Sequence, residues 1–156
     1  MQVFLSDAGQ LKHEIKADLE QKGISFEEGT HSTDKIKAAD LIVKSPGIPD
    51  DIPLIEELTA AEIEIISEIE FAYRQCTSKV IAVTGSNGKT TTASLIYHIL
   101  QKSGLSVALG GNIGKSFARL VAENQFDWYV LELSSFQLDG IKVFKPEIKL
   151  KSVCLI

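Results

Sequence analysis

The chain is poor in the residues that would place it in several large classes. It has two cysteines in 156 residues, Cys76 and Cys154, far apart and without metal-ligand spacing. That excludes a disulfide scaffold and a zinc ribbon, and it fits a reduced, cytosolic protein. No apolar run approaches the ~20 residues that span a bilayer, so no membrane partner is expected. The N-terminus, M-Q-V-F-L-S-D, lacks the basic region and apolar core of a secretion signal. No basic cluster is interleaved with aromatics, which argues against nucleic acid as a partner. With four prolines, 44% hydrophobic and 24% charged residues, the composition is that of an ordinary folded α/β protein. The net charge of −5 is uneven. Residues 1–76 hold sixteen acids against seven bases, and residues 77–156 hold five against nine.

The basic half carries the strongest signal, K-V-I-A-V-T-G-S-N-G-K-T-T-T over Lys79–Thr92. A β-branched run feeds a glycine-rich loop, and Leu95, Ile96, Ile99 and Leu100 then recur at helical steps. This is the strand–loop–helix of a phosphate-binding loop. Gly85, Ser86, Asn87 and Gly88 would turn the backbone around a polyphosphate. Lys89 would supply charge to the outer phosphates, and the Thr90 hydroxyl could ligate Mg²⁺, with Thr91 beside it. Val83 stands where the general motif has glycine, so the loop is a variant.

The same grammar of alternating strand and helix runs through the chain and predicts parallel sheet. Strands are expected at Val3–Ser6, Ile24–Glu27, Asp40–Lys44 and Ile63–Ile66, then at 79–84, 105–109, 128–133 and 149–155. Helices are expected at Leu11–Lys22, Lys35–Ala39, Pro53–Ala61 and Glu68–Arg74, then at 89–103 and 115–123. Gln75–Ser78 reads as a domain junction, giving domains 1–76 and 77–156. The chain opens on one strand and closes on the apolar V-C-L-I, so the expectation is a piece of a longer protein.

Three further groups carry candidate chemistry. In Gly110-Gly111-Asn112-Ile113-Gly114 the glycines imply a close backbone approach, and Asn112 offers both donor and acceptor. In L-E-L-S-S-F-Q-L, Glu132 lies among apolar residues near the C-terminal end of its strand, where ligand sites of open sheets gather. A carboxylate there needs a cation, and Mg²⁺ shared with Thr90 is the natural one. Ser134, Ser135 and Gln137 could bind substrate or cap the next turn. In Ser45-Pro46-Gly47-Ile48, Gly47 could offer a backbone N–H to a phosphate or base, or simply make a turn. Asp7 could meet a sugar hydroxyl or cap the helix that follows. His13, His31 and His98 are scattered and read as surface or helix residues.

T-G-S-N-G-K-T-T, G-G-N-I-G, L-E-L-S-S-F-Q-L and S-P-G-I, in this order and spacing, resemble the Mur ligases of peptidoglycan synthesis, and most of all the D-glutamate-adding branch. The resemblance implies an α/β fold in two parts. A partial Rossmann-like parallel sheet over residues 1–76 would bind the UDP substrate. A partial P-loop NTPase-like domain over 77–156, the central domain of the family, would bind ATP. The implied reaction is ATP-dependent: a substrate carboxylate becomes an acyl phosphate, which the amine of D-glutamate attacks. By the same resemblance, Lys89 and Glu132 are catalytic. Residues 85–91 bind ATP, Thr90 and Glu132 hold Mg²⁺, and Asn112 and Ser134 face the muramoyl part of UDP-N-acetylmuramoyl-L-alanine. Asp7 and Gly47 lie near its UDP, and the whole enzyme is a cytoplasmic monomer. The family's first strand and glycine-rich turn, its N-x-T-x-D-H segment, a carbamylated lysine and its C-terminal domain have no counterpart here, and Gly9 stands where the family often has arginine. These residues alone are therefore expected not to turn over. A non-catalytic nucleotide-binding role stays open as the alternative.

Overall fold

The structure, a computed structural model, describes residues 2–152, without the side chain of Ser152. The chain packs as two compact units, Met1–Ile42 with Asp50–Glu64, and Val43–Pro49 with Ile65–Ile156.

The first unit carries β1 (Phe4–Asp7), α1 (His13–Gln21), β2 (Ser25–Glu28), α2 (Thr33–Lys37) and α3 (Pro53–Ala60). The first two strands pair in parallel, with Phe4 opposite Ser25 and Asp7 opposite Glu28. α1 stops where the sequence places a glycine: the Ile24 N–H returns to the Leu19 carbonyl at 2.8 Å. α3 begins at Pro53, whose missing N–H costs nothing in the first turn. The core here is thin. None of residues 2–42 is fully buried, and the burial of this unit rests on Ile55 and Leu58 of α3.

β3 (Leu41–Lys44) and β4 (Glu64–Ser67) form a two-stranded sheet of their own. The strands of the first half thus make two separate pairs rather than one continuous sheet. α4 (Glu68–Gln75) follows β4 directly and packs in the second unit, where Ile69 and Ala72 enter the main core.

That unit is built on a four-stranded parallel sheet in the order β6-β7-β5-β8. Its elements are β5 (Lys79–Gly85), α5 (Lys89–Lys102), β6 (Val107–Gly111), α6 (Phe117–Glu123), β7 (Trp128–Glu132), α7 (Ser135–Leu138) and β8 (Ile148–Ser152). Alternation along the strands divides the core into two layers. Val80, Ala82, Tyr129 and Leu131 pack with Ile69 of α4 and with Phe117 and Leu120 of α6. Ile81, Val83 and Val130 pack on the other face under Ala93, Ile96 and Leu100 of α5. Leu95 and Ile99 of that helix, both counted in its apolar pattern, are more than half exposed.

Two boundaries differ from expectation for identifiable reasons, and one element is additional. β6 runs two residues further, through Gly110 and Gly111, because these pair with Leu131 and Glu132 of β7. α6 starts at Phe117, since the Ser116 hydroxyl accepts the Arg119 N–H as its cap. α7 is a helical turn that the strand-to-loop reading did not contain. The last expected strand is present as β8, and its residues 153–155, with Cys154, lie outside the described residues. No helix among the described residues is long and apolar enough to cross a membrane.

Candidate functional site

The site forms at the C-terminal end of the central strand. Val83, the departure from the general phosphate-loop pattern, has no accessible surface and packs against Ala93 and Val130, so β5 needs its side chain there. The chain then turns through Thr84-Gly85-Ser86-Asn87 into Gly88, whose φ of +76° is left-handed and strained for any other residue. α5 starts at the next position with no side-chain cap. Its first N–H groups and the positive end of its dipole therefore face the loop, an arrangement that favours an anion. The Lys89 ammonium donates to the Gly85 carbonyl at 2.8 Å and to the Ser86 carbonyl at 3.3 Å, which draws the loop around it. Ser86, Asn87, Gly88, Thr90 and Thr91 are exposed.

Glu132 ends the neighbouring strand β7 and is 3% exposed. Both its oxygens are engaged. Oε2 accepts the Thr90 hydroxyl at 2.6 Å, and Oε1 accepts the Asn112 amide at 3.1 Å. Its main-chain carbonyl takes the Asn112 N–H at 2.8 Å. The fold thus gathers Lys89, Thr90, Asn112 and Glu132 from three motifs. The glycines of G-G-N-I-G have a specific reason. A Cβ on Gly111 would lie 2.3 Å from the Glu132 carbonyl oxygen, and one on Gly110 would lie 2.5 Å from the Lys115 carbonyl oxygen and from Leu120. The close approach implied by these glycines is to the protein's own backbone.

The pair of oxygens at Thr90 and Glu132 fits Mg²⁺. Adjacent ligands of an octahedral ion at 2.0–2.1 Å stand roughly 2.9 Å apart, close to the 2.6 Å seen here. A hydroxyl and one carboxylate are also the sparse hard-oxygen set that this ion uses beside water and phosphate. Among the described residues no group of three or more His, Cys, Asp or Glu could hold a metal.

Ser134 caps α7. Its hydroxyl accepts the Gln137 N–H at 3.3 Å while the Gln137 side chain takes the Ser134 N–H at 3.1 Å, a reciprocal capping box. Gly47 sits in a turn closed by the Ile48 N–H on the Ser45 carbonyl at 3.0 Å. A Cβ there would meet nothing within 4 Å. Asp7 belongs to the first unit, where its carboxylate accepts the Gly9 N–H at 2.7 Å.

Several residues matter that the sequence did not single out. His31 is not a plain surface residue: it is half-buried, with Nδ1 2.6 Å from the Ser6 hydroxyl. Ser6 donates to Glu27 at 2.8 Å, and the Ser32 N–H donates to the same oxygen at 2.7 Å. Hydrogen bonds from the Ser32 side chain and N–H, and from Ser6, outweigh desolvation and hold the Glu27 carboxyl down at about 2. Glu68 accepts the Ala118 N–H at the start of α6, and burial raises its carboxyl above the ordinary range against that bond. Glu70 is fully buried and collects the N–H groups of Lys142, Val143 and Phe144. Glu70 gave no signal, since a glutamate on a short helix reads as a solvated residue.

Comparison with known proteins finds matches in both halves of the chain. The Mur ligase middle domain matches residues 83–151 and the MurD N-terminal domain matches residues 1–52. The UDP-N-acetylmuramoylalanine--D-glutamate ligase of Bacteroides fragilis is 55% identical over 145 residues, 93% of this chain and 33% of its own length. The enzyme of the same name from Christiangramia forsetii is 51% identical over 146 residues, 94% of this chain and 33% of its own. The chain thus spans about a third of the length of the curated relatives it matches. Two solved structures share the fold. A murein peptide ligase from Psychrobacter arcticus has TM-score 0.54 at 22% identity, covering 97% of this chain and 38% of that one. A UDP-N-acetylmuramate:L-alanyl-gamma-D-glutamyl-meso-diaminopimelate ligase from Neisseria meningitides has TM-score 0.56 at 17% identity, covering 96% and 60%. With a variant phosphate loop beside a buried carboxylate, and two family domains matched in order, the chain belongs to the Mur ligase family.

Proposed function

We propose that these residues belong to an ATP-dependent ligase that joins D-glutamate to UDP-N-acetylmuramoyl-L-alanine in peptidoglycan synthesis. Residues 1–76 would serve the UDP substrate, with Asp7 and Gly47 near its nucleotide. Residues 77–156 would serve ATP. The backbone from Gly85 to Thr91 wraps the phosphates, and Lys89 offsets their charge. Thr90 and Glu132 would hold Mg²⁺, which would supply charge neutralisation beside the phosphates. Asn112 and Ser134 face the muramoyl end. The γ-phosphoryl passes to the substrate carboxylate, giving an acyl phosphate and ADP. The D-glutamate amine then attacks the acyl carbon, and phosphate leaves as the amide forms. Such a transfer asks the protein for positioning and charge neutralisation rather than for a nucleophile.

The observation that carries this reading is the contact between Thr90 and Glu132. It joins the first turn after the phosphate loop to the adjacent strand end, through the two oxygens a magnesium-nucleotide needs. Spanning about a third of the relatives' length, these residues alone bind nucleotide without turnover. The test is calorimetric titration of the purified chain with a non-hydrolysable ATP analogue, with and without Mg²⁺, beside a phosphate-release assay containing both substrates. Mg²⁺-dependent binding without D-glutamate-dependent phosphate release is expected. Absence of nucleotide binding would overturn the ATP reading, and D-glutamate-dependent release would overturn the claim that the chain alone is inactive.

A further inference from the structure

We propose that Asn112 is a positioning residue for Glu132: its side-chain amide holds Oε1, so that Oε2 is the oxygen presented beside Thr90 to the cation. The inference rests on the reading of Thr90 and Glu132 as Mg²⁺ ligands. A glutamate side chain can turn about three bonds, and a carboxylate offers two equivalent oxygens. Left alone at the end of β7, Glu132 could chelate through both or swing away. The geometry removes that freedom. The amide reaches Oε1 at 3.1 Å while the Thr90 hydroxyl engages Oε2 at 2.6 Å, so the two oxygens have different tasks.

The amide is itself held by backbone. The Asn112 N–H is bonded to the carbonyl of Glu132 at 2.8 Å, and the Gly111 N–H to that of Lys115 at 3.0 Å. This approach requires Gly111, whose φ is +98° and whose position leaves no room for a Cβ against the Glu132 carbonyl. The residue type matters as well. A lysine or arginine here would fix the carboxylate but cancel its charge, whereas an amide donates and leaves the full negative charge for a cation. Partners that orient a metal-ligating carboxylate typically account for about 10- to 100-fold in metal affinity. Asn112 is exposed, so holding Glu132 is compatible with a substrate contact by the rest of the same side chain.

The experiment measures binding of a non-hydrolysable ATP analogue to the purified chain as Mg²⁺ is raised. The variants are Asn112→Ala, Asn112→Leu (close to asparagine in shape, without polar atoms), Glu132→Ala and the double Asn112→Ala/Glu132→Ala. Both Asn112 variants should raise the Mg²⁺ concentration for half-maximal binding by about 10-fold or more. Affinity without metal should stay within about twofold, and the double variant should match Glu132→Ala alone, since the amide acts only through the carboxylate. Far-UV dichroism and melting of the metal-free chain identify any variant that fails to fold, and agreement of the two Asn112 substitutions then decides. Unchanged Mg²⁺ dependence in both, an equal loss with and without metal, or effects that multiply in the double variant would overturn the inference. If the wild-type chain binds nucleotide with no Mg²⁺ dependence, the reading of Thr90 and Glu132 as cation ligands fails first, and the inference falls with it.

Discussion

Replacing Glu70 with alanine should cost the second unit a substantial part of its stability, although the residue lies outside the proposed site. Its side chain has no accessible surface. Oε2 accepts the N–H groups of Lys142 at 2.9 Å, Val143 at 3.0 Å and Phe144 at 2.9 Å, while Oε1 accepts Arg74 Nε at 2.9 Å. One carboxylate thereby fastens the segment after α7 to α4. The same segment is tied by the Tyr73 hydroxyl on the Lys145 carbonyl and by the edge-to-face contact of Tyr73 with Phe144. An orphaned buried donor costs about 1–3 kcal/mol. Phe144 is buried, whereas Lys142 and Val143 lie where water can reach them, so one of the three donors bears the full penalty. With the lost pairing to Arg74, the total is about 3–5 kcal/mol, in the range for removing one partner of a buried charge pair. Against a domain stability of about 5–15 kcal/mol, that is at least about a fifth of the total. Urea unfolding followed by Trp128 fluorescence reads this out. The pH dependence gives a second check. Burial pushes the Glu70 carboxyl up, but the Lys142, Val143 and Phe144 N–H groups and Arg74 outweigh it, so its folded pKa lies below the ordinary value of 4.5. Its contribution is complete above the unfolded pKa and is lost as pH falls through the folded one. The gap between wild type and Glu70→Gln should therefore shrink below about pH 5. A loss under about 1 kcal/mol for Glu70→Ala at pH 7, or a gap that widens on acidification, would refute the reasoning.

Lys89→Ala should leave the melting temperature almost unchanged, because the ammonium bonds only to carbonyls of its own loop, yet weaken ATP-analogue binding by about 10- to 100-fold, the value of one charge-assisted contact; calorimetry separates the two. Gly47→Ala should be neutral for stability, within about 0.5 kcal/mol, since its Cβ would meet open space. Weaker binding of the UDP substrate by the same variant would place the ligand against this loop, and unchanged binding would remove Gly47 from the proposed site. Glu27, held down at about 2, should remain ionised in an NMR titration until the acid limit, and the destabilisation by Glu27→Gln should be full above about pH 5 and fade towards pH 2.

What could be read from the sequence was whatever is encoded locally or enforced by a hard physical rule. The phosphate loop is contiguous, so strand, glycines and lysine announce it without tertiary information. Glu132 was legible because a carboxylate inside an apolar strand is costly enough to demand a partner. The glycines of G-G-N-I-G signalled a close approach, but the approaching group, the backbone of Glu132, lies twenty residues on and on another strand. The reciprocal bonds of Ser134 with Gln137 could not be foreseen, because they depend on the turn that α7 makes. Leu95 and Ile99 entered the apolar pattern of α5, although the face packed on the sheet is that of Ala93, Ile96, Tyr97 and Leu100, because neighbouring apolar positions make the register ambiguous. Glu70 gave no signal, since its backbone partners lie more than seventy residues away and any residue type could have supplied them.

The two buried carboxylates, Glu70 and Glu132, separate structure from function by the kind of donor each has. Glu70 is held mainly by backbone N–H groups, whose hydrogens are fixed by the chain and have no lone pair to offer. A metal ion could reach Glu70 only by displacing these N–H groups or the Arg74 guanidinium already on Oε1. Glu132 is held by a hydroxyl and a side-chain amide. A hydroxyl can rotate its hydrogen away and present a lone pair, so Thr90 could pass from donor to ligand with no movement of the chain. The amide on Oε1 need not change at all. Burial and satisfied hydrogen bonding are common to both residues, so neither property marks a site. The mark is a buried charge whose partner can exchange donation for ligation at the mouth of a phosphate loop, and among these two only Glu132 has it.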